Sequence, residues 1–290
     1  MTSESVRAAV EAALGASIGR VEPLSGGDIN DAFLTVLVDG RRVFVKTHQR
    51  ADPGMFPAEA RGLTWLREAV ALRIPEVLAV SDGSQAGPHF LALEYLHPAR
   101  KIAHFDEQLG RGLADLHRFG APRFGLDHDN FIGSLPQNNS PSESWTDFYR
   151  ERRLRAQLRL AVDSGRVDTG IARRFENLLS KLAALLGPPE PPSRLHGDLW
   201  GGNLHVDEQG APCLLDPAAY GGHREVDLAM MRLFGGFAAR SFQAYAESFP
   251  LAPGSEERVA VYQLYPVMVH LNLFGKSYLP AVERTVERYT

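Results

Sequence analysis

The sequence predicts an α+β chain of two lobes, a small antiparallel-sheet lobe over residues 1–96 and a mostly helical lobe over residues 97–290. Three observations carry that expectation. Before residue 97, apolar and polar residues alternate in strand-length runs around one helical pattern. After it, apolar residues recur at helical spacing for most of the chain. Within that second part, the polar stretch Leu195-His-Gly-Asp-Leu-Trp-Gly-Gly-Asn203 precedes a short hairpin pattern that closes at Asp216.

Taken in order, Val6, Val10, Ala13 and Leu14 share one helical face, with Gly15 placed to stop the helix. A turn containing Gly26 and Gly27 leads into a strand over 32–38, which Asp39-Gly40 joins to a second over 42–47. Two residues of Asp-Gly type between alternating runs are a strong hairpin signal. Residues 55–72 read as a helix with Leu63, Leu66 and Val70 on its apolar face. Further strands are expected at 77–80 and 90–96; with these four placed and a fifth expected but unplaced, five strands and one intervening helix make a small lobe. Glu94, Tyr95 and Leu96 then form the expected hinge into the second lobe.

The second lobe opens with a helix over 102–119, its buried stripe made by Phe105, Leu109, Leu113 and Leu116. A loop rich in turn residues follows at 124–139; loops this long in compact domains are often functional, and this one is expected near the acceptor. Residues 145–162 read as a helix whose Arg150, Arg152, Arg153, Arg155 and Arg159 make a solvated, salt-bridged face. Another helix spans 171–186, and a proline-rich extended run delivers the chain to Leu195. After Asp216, Asp227 is expected as a helix-start carboxylate. The remainder reads as helices with breaks near Pro250-Leu-Ala-Pro253 and at Gly275.

The chemistry lies in the spacing. Asp198 and Asn203 stand five positions apart, as His-x-Asp-x-x-x-x-Asn, and Asp216 follows thirteen residues later. That order of groups is what phosphoryl transfer from ATP requires. Asp198 is the carboxylate that takes the proton of an attacking hydroxyl. Asn203 and Asp216 are the hard oxygen ligands that suit Mg²⁺. Short strands at 204–206 and 213–215, around an Asp-Glu-Gln-Gly turn, are expected to bring those two ligands side by side. Upstream, Gly26 and Gly27 can press backbone N–H groups against phosphates. Lys46 alternates with Val43 and Val45 and stands where a kinase places the lysine that pairs with the α- and β-phosphates. Glu59, the one acidic residue between Asp52 and Glu68, is its candidate partner. Main-chain groups from Glu94 to Leu96 are expected to read adenine. Trp200 offers either a flat wall for the acceptor or simple loop packing. Tyr220, His223 and Glu225, in the turn that leaves the metal ligand, are candidate acceptor contacts; for His223 a structural role and a second general base both stay open.

Composition narrows the setting. The chain has 290 residues, 44% hydrophobic and 23% charged, with a formal net charge of −4. That is ordinary for a soluble globular protein and argues against a nucleic-acid footprint. A lone cysteine, Cys213, excludes an internal disulfide, fits a reducing compartment and sits in an apolar run as a small core residue. No apolar run approaches the ~18–20 residues that span a bilayer, and the N-terminus lacks a secretion-signal profile. A cytoplasmic enzyme is the expectation.

Leu195-His-Gly-Asp-Leu-Trp-Gly-Gly-Asn203, with Asp216-Pro-Ala-Ala-Tyr-Gly-Gly-His-Arg-Glu-Val-Asp-Leu-Ala229, resembles the fructosamine kinase (ketosamine 3-kinase) family. So do Asn130-Phe-Ile-Gly-Ser134, Trp145-x-x-Phe-Tyr-x-x-Arg-Arg153, Lys46, the helix segment Glu59-Ala-x-Gly-Leu63 and the hinge Glu94-Tyr-Leu96. The His-Gly-Asp core alone is shared with aminoglycoside and choline kinases; Trp200 and the Asp-Pro-Ala-x-Tyr-x-Gly-His-x-Glu run discriminate. The resemblance implies a two-lobed protein-kinase-like fold that uses ATP and Mg²⁺ to phosphorylate O3 of fructosamines, ribulosamines or related ketosamines. The unstable 3-phosphate then decomposes and frees the amine, which is deglycation. Pro217 after Asp216, in place of Phe-Gly, and the absence of an Ala-Pro-Glu segment depart from protein kinases and suit a small acceptor. Expected partners are ATP and a free or protein-bound ketosamine, with no nucleic acid and no membrane. Three alternatives remain: another small-molecule kinase of the aminoglycoside or choline type, a non-catalytic nucleotide-binding regulator, and a metal hydrolase built on His196, Asp198 and His205. The full set of Lys46, Asp198, Asn203 and Asp216 speaks against the regulator.

Overall fold

The computed structural model describes residues 4–24, 30–84 and 87–290. The chain divides into two compact units, Met1–Phe105 with Leu204–Pro217, and Asp106–Asn203 with Ala218–Thr290.

In the first unit, helix α1 (Glu4–Leu14) precedes strands β1 (Ile18–Leu24), β2 (Asp31–Leu37) and β3 (Arg42–Thr47). Helix α2 (Met55–Arg67) then leads to β4 (Val77–Val80) and β5 (Phe90–Glu94). The strands form one antiparallel sheet in the order β1-β2-β3-β5-β4. β1 supplies the fifth strand, for which the sequence shows no alternating run. It is an edge strand whose register with β2 shifts between Ile18 and Arg20, and Pro23 is tolerated there because an edge leaves one side of the ladder unpaired. Val10 and Leu14 of α1 form an apolar cluster with Ile18, Leu37, Val43, Val45, Phe90 and Ala92, one part of the unit's core. α2 ends five residues earlier than its periodicity suggests: Val70 takes a left-handed φ of 50° and is 90% exposed, so it belongs to no apolar face. The strands Leu204–Val206 and Pro212–Leu214 pair as the expected hairpin, with Leu204 opposite Leu214. This hairpin joins the first unit through Leu214 N–H, which donates to Arg73 O at 2.9 Å, and Ile102 N–H, which donates to Gly210 O at 3.1 Å. Cys213 is buried there as a small core residue, and burial pushes its thiol well above the ordinary range.

The second unit is built from α3 (Phe105–Phe119), α4 (Trp145–Phe148), α5 (Arg155–Asp163) and α6 (Thr169–Leu185), then α7 (Glu225–Phe234), α8 (Ala239–Ser248), α9 (Ser255–Phe274) and α10 (Leu279–Tyr289). The stripe of α3 is buried as its spacing predicts: Phe105, Leu109, Leu113 and Leu116 are in the core. Between α4 and α5 the backbone forms a π-helical turn, Tyr149–Leu154. The extra residue per turn rotates the following side chains, and Arg153 points inward. It is fully buried, its guanidinium 3.9 Å from the Tyr220 ring centroid and 4.6 Å from that of Phe148. It donates to Asn138 O at 2.7 Å and to Asn139 Oδ1 at 2.6 Å. The solvated arginine face therefore excludes Arg153, whereas Arg150 and Arg155 do pair with carboxylates at the surface. The 124–139 segment contains a small hairpin, Asn130–Ile132 with Leu135–Gln137, and its polar side chains turn into the protein. Gln137 donates to Asn130 Oδ1 at 2.8 Å and Tyr265 donates to Gln137 Oε1 at 2.6 Å. Those amides are structural.

Candidate active site

The sheet of the first unit aims one lysine inward. Lys46 stands on β3 opposite Ala32 and Leu91, and its side chain is buried. Its Nζ lies 2.9 Å from Glu59 Oε1, on the second turn of α2, and 2.9 Å from Asp216 Oδ1, two residues beyond the hairpin. Burial alone would drive the ammonium toward neutrality, but the charges of Asp216 and Glu59 outweigh it and hold the lysine above its ordinary value. Asp216 has a φ of 52°, a region a non-glycine residue seldom occupies and one that recurs at functional sites. Its side chain is 45% exposed, unlike its two partners. Glu94 spends its carboxylate on Arg73, at 2.8 Å, and on Glu76 N–H, at 3.0 Å, while Leu96 is buried. Gly26 and Gly27 lie outside the described residues.

The second unit carries Asp198 on a braced loop. The strand Ser193–Leu195 pairs antiparallel with Tyr220–Gly222, and the chain turns sharply at Gly197, whose φ is 83°. A Cβ at Gly197 would overlap the carbonyl oxygen of Ala218, so glycine is required there. Asp227, fully buried in the first turn of α7, receives the N–H groups of His196 at 2.8 Å and Gly197 at 2.9 Å. His117 Nε2 approaches the same carboxylate at 3.2 Å, and its Nδ1 is 2.8 Å from Tyr245 Oη. Burial opposes ionisation of Asp227, yet the hydrogen bonds from the His117 ring and the Gly197 N–H hold its carboxyl below the usual range. An ionised acceptor assigns the proton to Nε2, so Nδ1 accepts from the Tyr245 phenol, which burial keeps protonated. Asp227 does begin a helix, but its oxygens serve another loop rather than its own helix terminus. Asn203 ends a 3-10 turn and donates from Nδ2 to Asp198 O at 2.8 Å and to Asp198 Oδ2 at 3.2 Å.

The donor chemistry fits Mg²⁺. Taken one residue at a time, Asp216 carries a half-exposed carboxylate, and Asn203, whose nitrogen is committed to Asp198, carries an amide oxygen; both are hard oxygen donors of the kind the cation takes. Two carboxylates around one ammonium also leave the Lys46 cluster with a formal charge of −1, which a divalent cation would offset. The hydrolase alternative has no comparable ligand set: among the described residues no three His, Cys, Asp or Glu side chains gather to hold a metal.

Three expected acceptor contacts lie in the interior instead. Tyr220 is fully buried beneath Arg153. His223 stacks on Tyr262 with centroids 5.3 Å apart, and burial depresses its pKa to about 4, so it stays neutral and cannot serve as an accessible second base. Glu225 is locked to Arg258 by contacts of 2.6 and 2.8 Å. A side chain without accessible surface cannot touch an acceptor, and of the three only Tyr220 adjoins the loop, through its strand pairing with Leu195. Trp200, by contrast, is 39% exposed. Little in the local sequence marks His117 and Tyr245 as the bracing pair: His117 is an isolated histidine at the end of an apolar helix, and its partners lie more than 100 residues away.

An antiparallel sheet with a buried lysine–glutamate pair, and a helical unit with a braced aspartate loop, define a kinase-like phosphotransferase. A crystal structure of a macrolide 2′-phosphotransferase from Brachybacterium faecium shares this fold, with a TM-score of 0.63 at 16% identity over 96% of both chains. The chain belongs to the fructosamine kinase family, whose model matches residues 2–290. It is 38% identical over 275 residues to a probable ketoamine kinase of Enterococcus faecium, covering 93% of this chain and 95% of that one. It is 35% identical to the chloroplastic protein-ribulosamine 3-kinase of Arabidopsis thaliana, covering 94% and 83% respectively. A crystal structure from Thermobifida fusca, provisionally described as a fructosamine-3-kinase, is 38% identical with a TM-score of 0.88, covering 98% of this chain and 97% of that one.

Proposed function

We propose that this chain transfers the γ-phosphoryl group of ATP to the O3 hydroxyl of a ketosamine, with Asp198 as the base. The new bond joins O3 to the γ-phosphorus, the bond from that phosphorus to the bridging oxygen of ADP breaks, and the hydroxyl proton passes to Asp198. Asn203 orients the Asp198 carboxylate through its amide N–H, and Asp227 fixes the backbone on which Asp198 rides. Lys46 pairs with the α- and β-phosphates, and Glu59 keeps its ammonium in place. Main-chain groups from Glu94 to Leu96 hold adenine, and the sequence assigns phosphate contacts to the backbone of Gly26 and Gly27, which lie outside the described residues. Mg²⁺ held by Asn203 and Asp216 would neutralise charge on the phosphoryl oxygens. The observation that carries the reading is the ammonium of Lys46 set between Glu59 and Asp216, an arrangement with a direct use in binding nucleotide phosphates.

The test is ATP-dependent turnover on fructosyl-, ribulosyl- and erythrulosyl-amines, with the phosphate position assigned by NMR. Phosphorylation at O3 supports the proposal. Phosphorylation of aminoglycosides or choline without ketosamine turnover would decide for the rival small-molecule kinase. Among the described residues no helix is long and apolar enough to cross a membrane, and we place the activity in the cytoplasm, where ATP is abundant and a lone thiol such as Cys213 stays reduced.

A further inference from the structure

Beyond the Asp198 loop runs a row of aromatic rings for which phosphoryl transfer itself has no use. Trp200 meets Phe234 edge-on, with centroids 6.4 Å apart, and Phe234 lies 4.6 Å from His270. His270 continues to Phe274 at 5.4 Å and Tyr278 at 5.2 Å. Trp200, Phe234 and Phe274 come from three separate segments, yet are 39%, 40% and 49% exposed. Scattered exposed rings need no explanation, but a contiguous exposed row marks a binding surface.

The row is fastened to the loop that bears Asp198. Gly201 packs on Gly236, just past the C-terminus of α7, so tightly that a Cβ on Gly236 would sit 2.8 Å from Gly201 Cα. A Cβ on Gly202 would overlap the Trp200 ring, so the ring folds over a glycine. Phe234, at the end of α7, thereby holds a fixed position beside Trp200.

We propose that this row is the subsite for the amine substituent of the acceptor, and that it selects ketosamines carried on aromatic or extended apolar amines. The inference rests on reading Asp198 as the base that receives the sugar hydroxyl. A ketosamine has two parts, a polar sugar and the substituent on its nitrogen, and only the second gains from burial against rings. The protonated secondary amine between them is itself attracted to ring faces. His270 adds no opposing charge: burial holds it below the ordinary histidine range, and its Nδ1–H donates to Pro266 O at 2.8 Å.

The experiment compares kcat/KM for ribulosyl-benzylamine and ribulosyl-methylamine, each ratio taken on one preparation so that any unfolded fraction cancels. Wild type should favour the benzyl compound about 10-fold, equivalent to about 1.4 kcal/mol. Phe234→Ala should bring the ratio to about 3-fold or less, Phe274→Ala should fall between, and Phe234→Trp should restore the preference. A ratio near one in wild type, or one that Phe234→Ala leaves intact, overturns the subsite. Absence of turnover on both compounds overturns the kinase reading beneath it, and the subsite with it; the two failures are therefore distinct.

Discussion

The Lys46 cluster and the Asp198 loop solve the same problem, holding charged groups in place, by opposite means. In the first unit one ammonium is shared by two carboxylates delivered from a helix and from the end of a hairpin, so the cluster is a small ionic lattice. In the second, the carboxylate that matters is reached through backbone: a buried Asp227 grips two N–H groups, and His117 and Tyr245 hold Asp227. Ionic clusters bind other ions readily because their partners can be exchanged, and Asp216 keeps an accessible face for that. Backbone bracing fixes a direction, which is what a base needs. On the proposed reading, the difference separates a region for phosphates and metal from one that accepts a proton.

The contrast is sharpest at Asp198 itself. Asp198→Asn keeps the shape and the bracing but removes the base, and kcat should fall by roughly 10²–10⁴-fold. ATP affinity, read by calorimetry, should stay within a few-fold of wild type; retained turnover would sink the base assignment. Lys46→Met tests the other region. It leaves Glu59 as a buried carboxylate without its ammonium, so it should lower stability by about 3–5 kcal/mol in denaturant titration and weaken ATP binding. Lys46→Met with Glu59→Gln should recover much of the stability but not the ATP binding. Recovery of both would mean that Lys46 serves the fold alone.

Asp227→Asn addresses the bracing. An amide can accept from one N–H but presents a donor to the next, so one of the groups now held by Asp227 loses its acceptor at about 1–3 kcal/mol. Misplacing the loop by a fraction of an ångström should cut kcat by up to about 10²-fold with little change in the KM for ATP. If KM for ATP rises instead while kcat holds, the division of labour between the two regions is wrong.

The same contrast explains what was legible in the chain. Glu59 could be paired with Lys46 from sequence because it is the one acid on its stretch of amphipathic helix. The 204–214 hairpin was legible because a turn signal and two short apolar runs are local. Asp227 read as a helix-start carboxylate because its N-terminal position is local information, whereas its partners lie some thirty and 110 residues away. Arg153 and Arg155 look alike in sequence, and a π-helical turn sends one inward and leaves the other at the surface. Tyr220, His223 and Glu225 follow Asp216 closely in sequence, but the strand Tyr220–Gly222 and the start of α7 carry them into the interior. Adjacency in sequence to Asp216 is not exposure to an acceptor.

That interior predicts where the second unit is sensitive to acid. His223 is buried against Tyr262 and Trp145, with Glu190 3.7 Å from its Nε2, and its pKa falls from the ordinary 6.5 to about 4, mainly through burial. The native state therefore binds fewer protons at this site than the unfolded chain between those values, so stability rises with pH across the window. The contribution is fully present above pH 6.5 and is lost as pH falls toward 4. Its size by pH 4 is on the order of 2–3 kcal/mol. His223→Phe keeps the stacked ring but cannot titrate, so its stability curve should be flatter than wild type between pH 6.5 and 4 and parallel above 7. Curves that stay parallel throughout would show that His223 is accessible enough to titrate normally, and would return it to the acceptor side of the comparison.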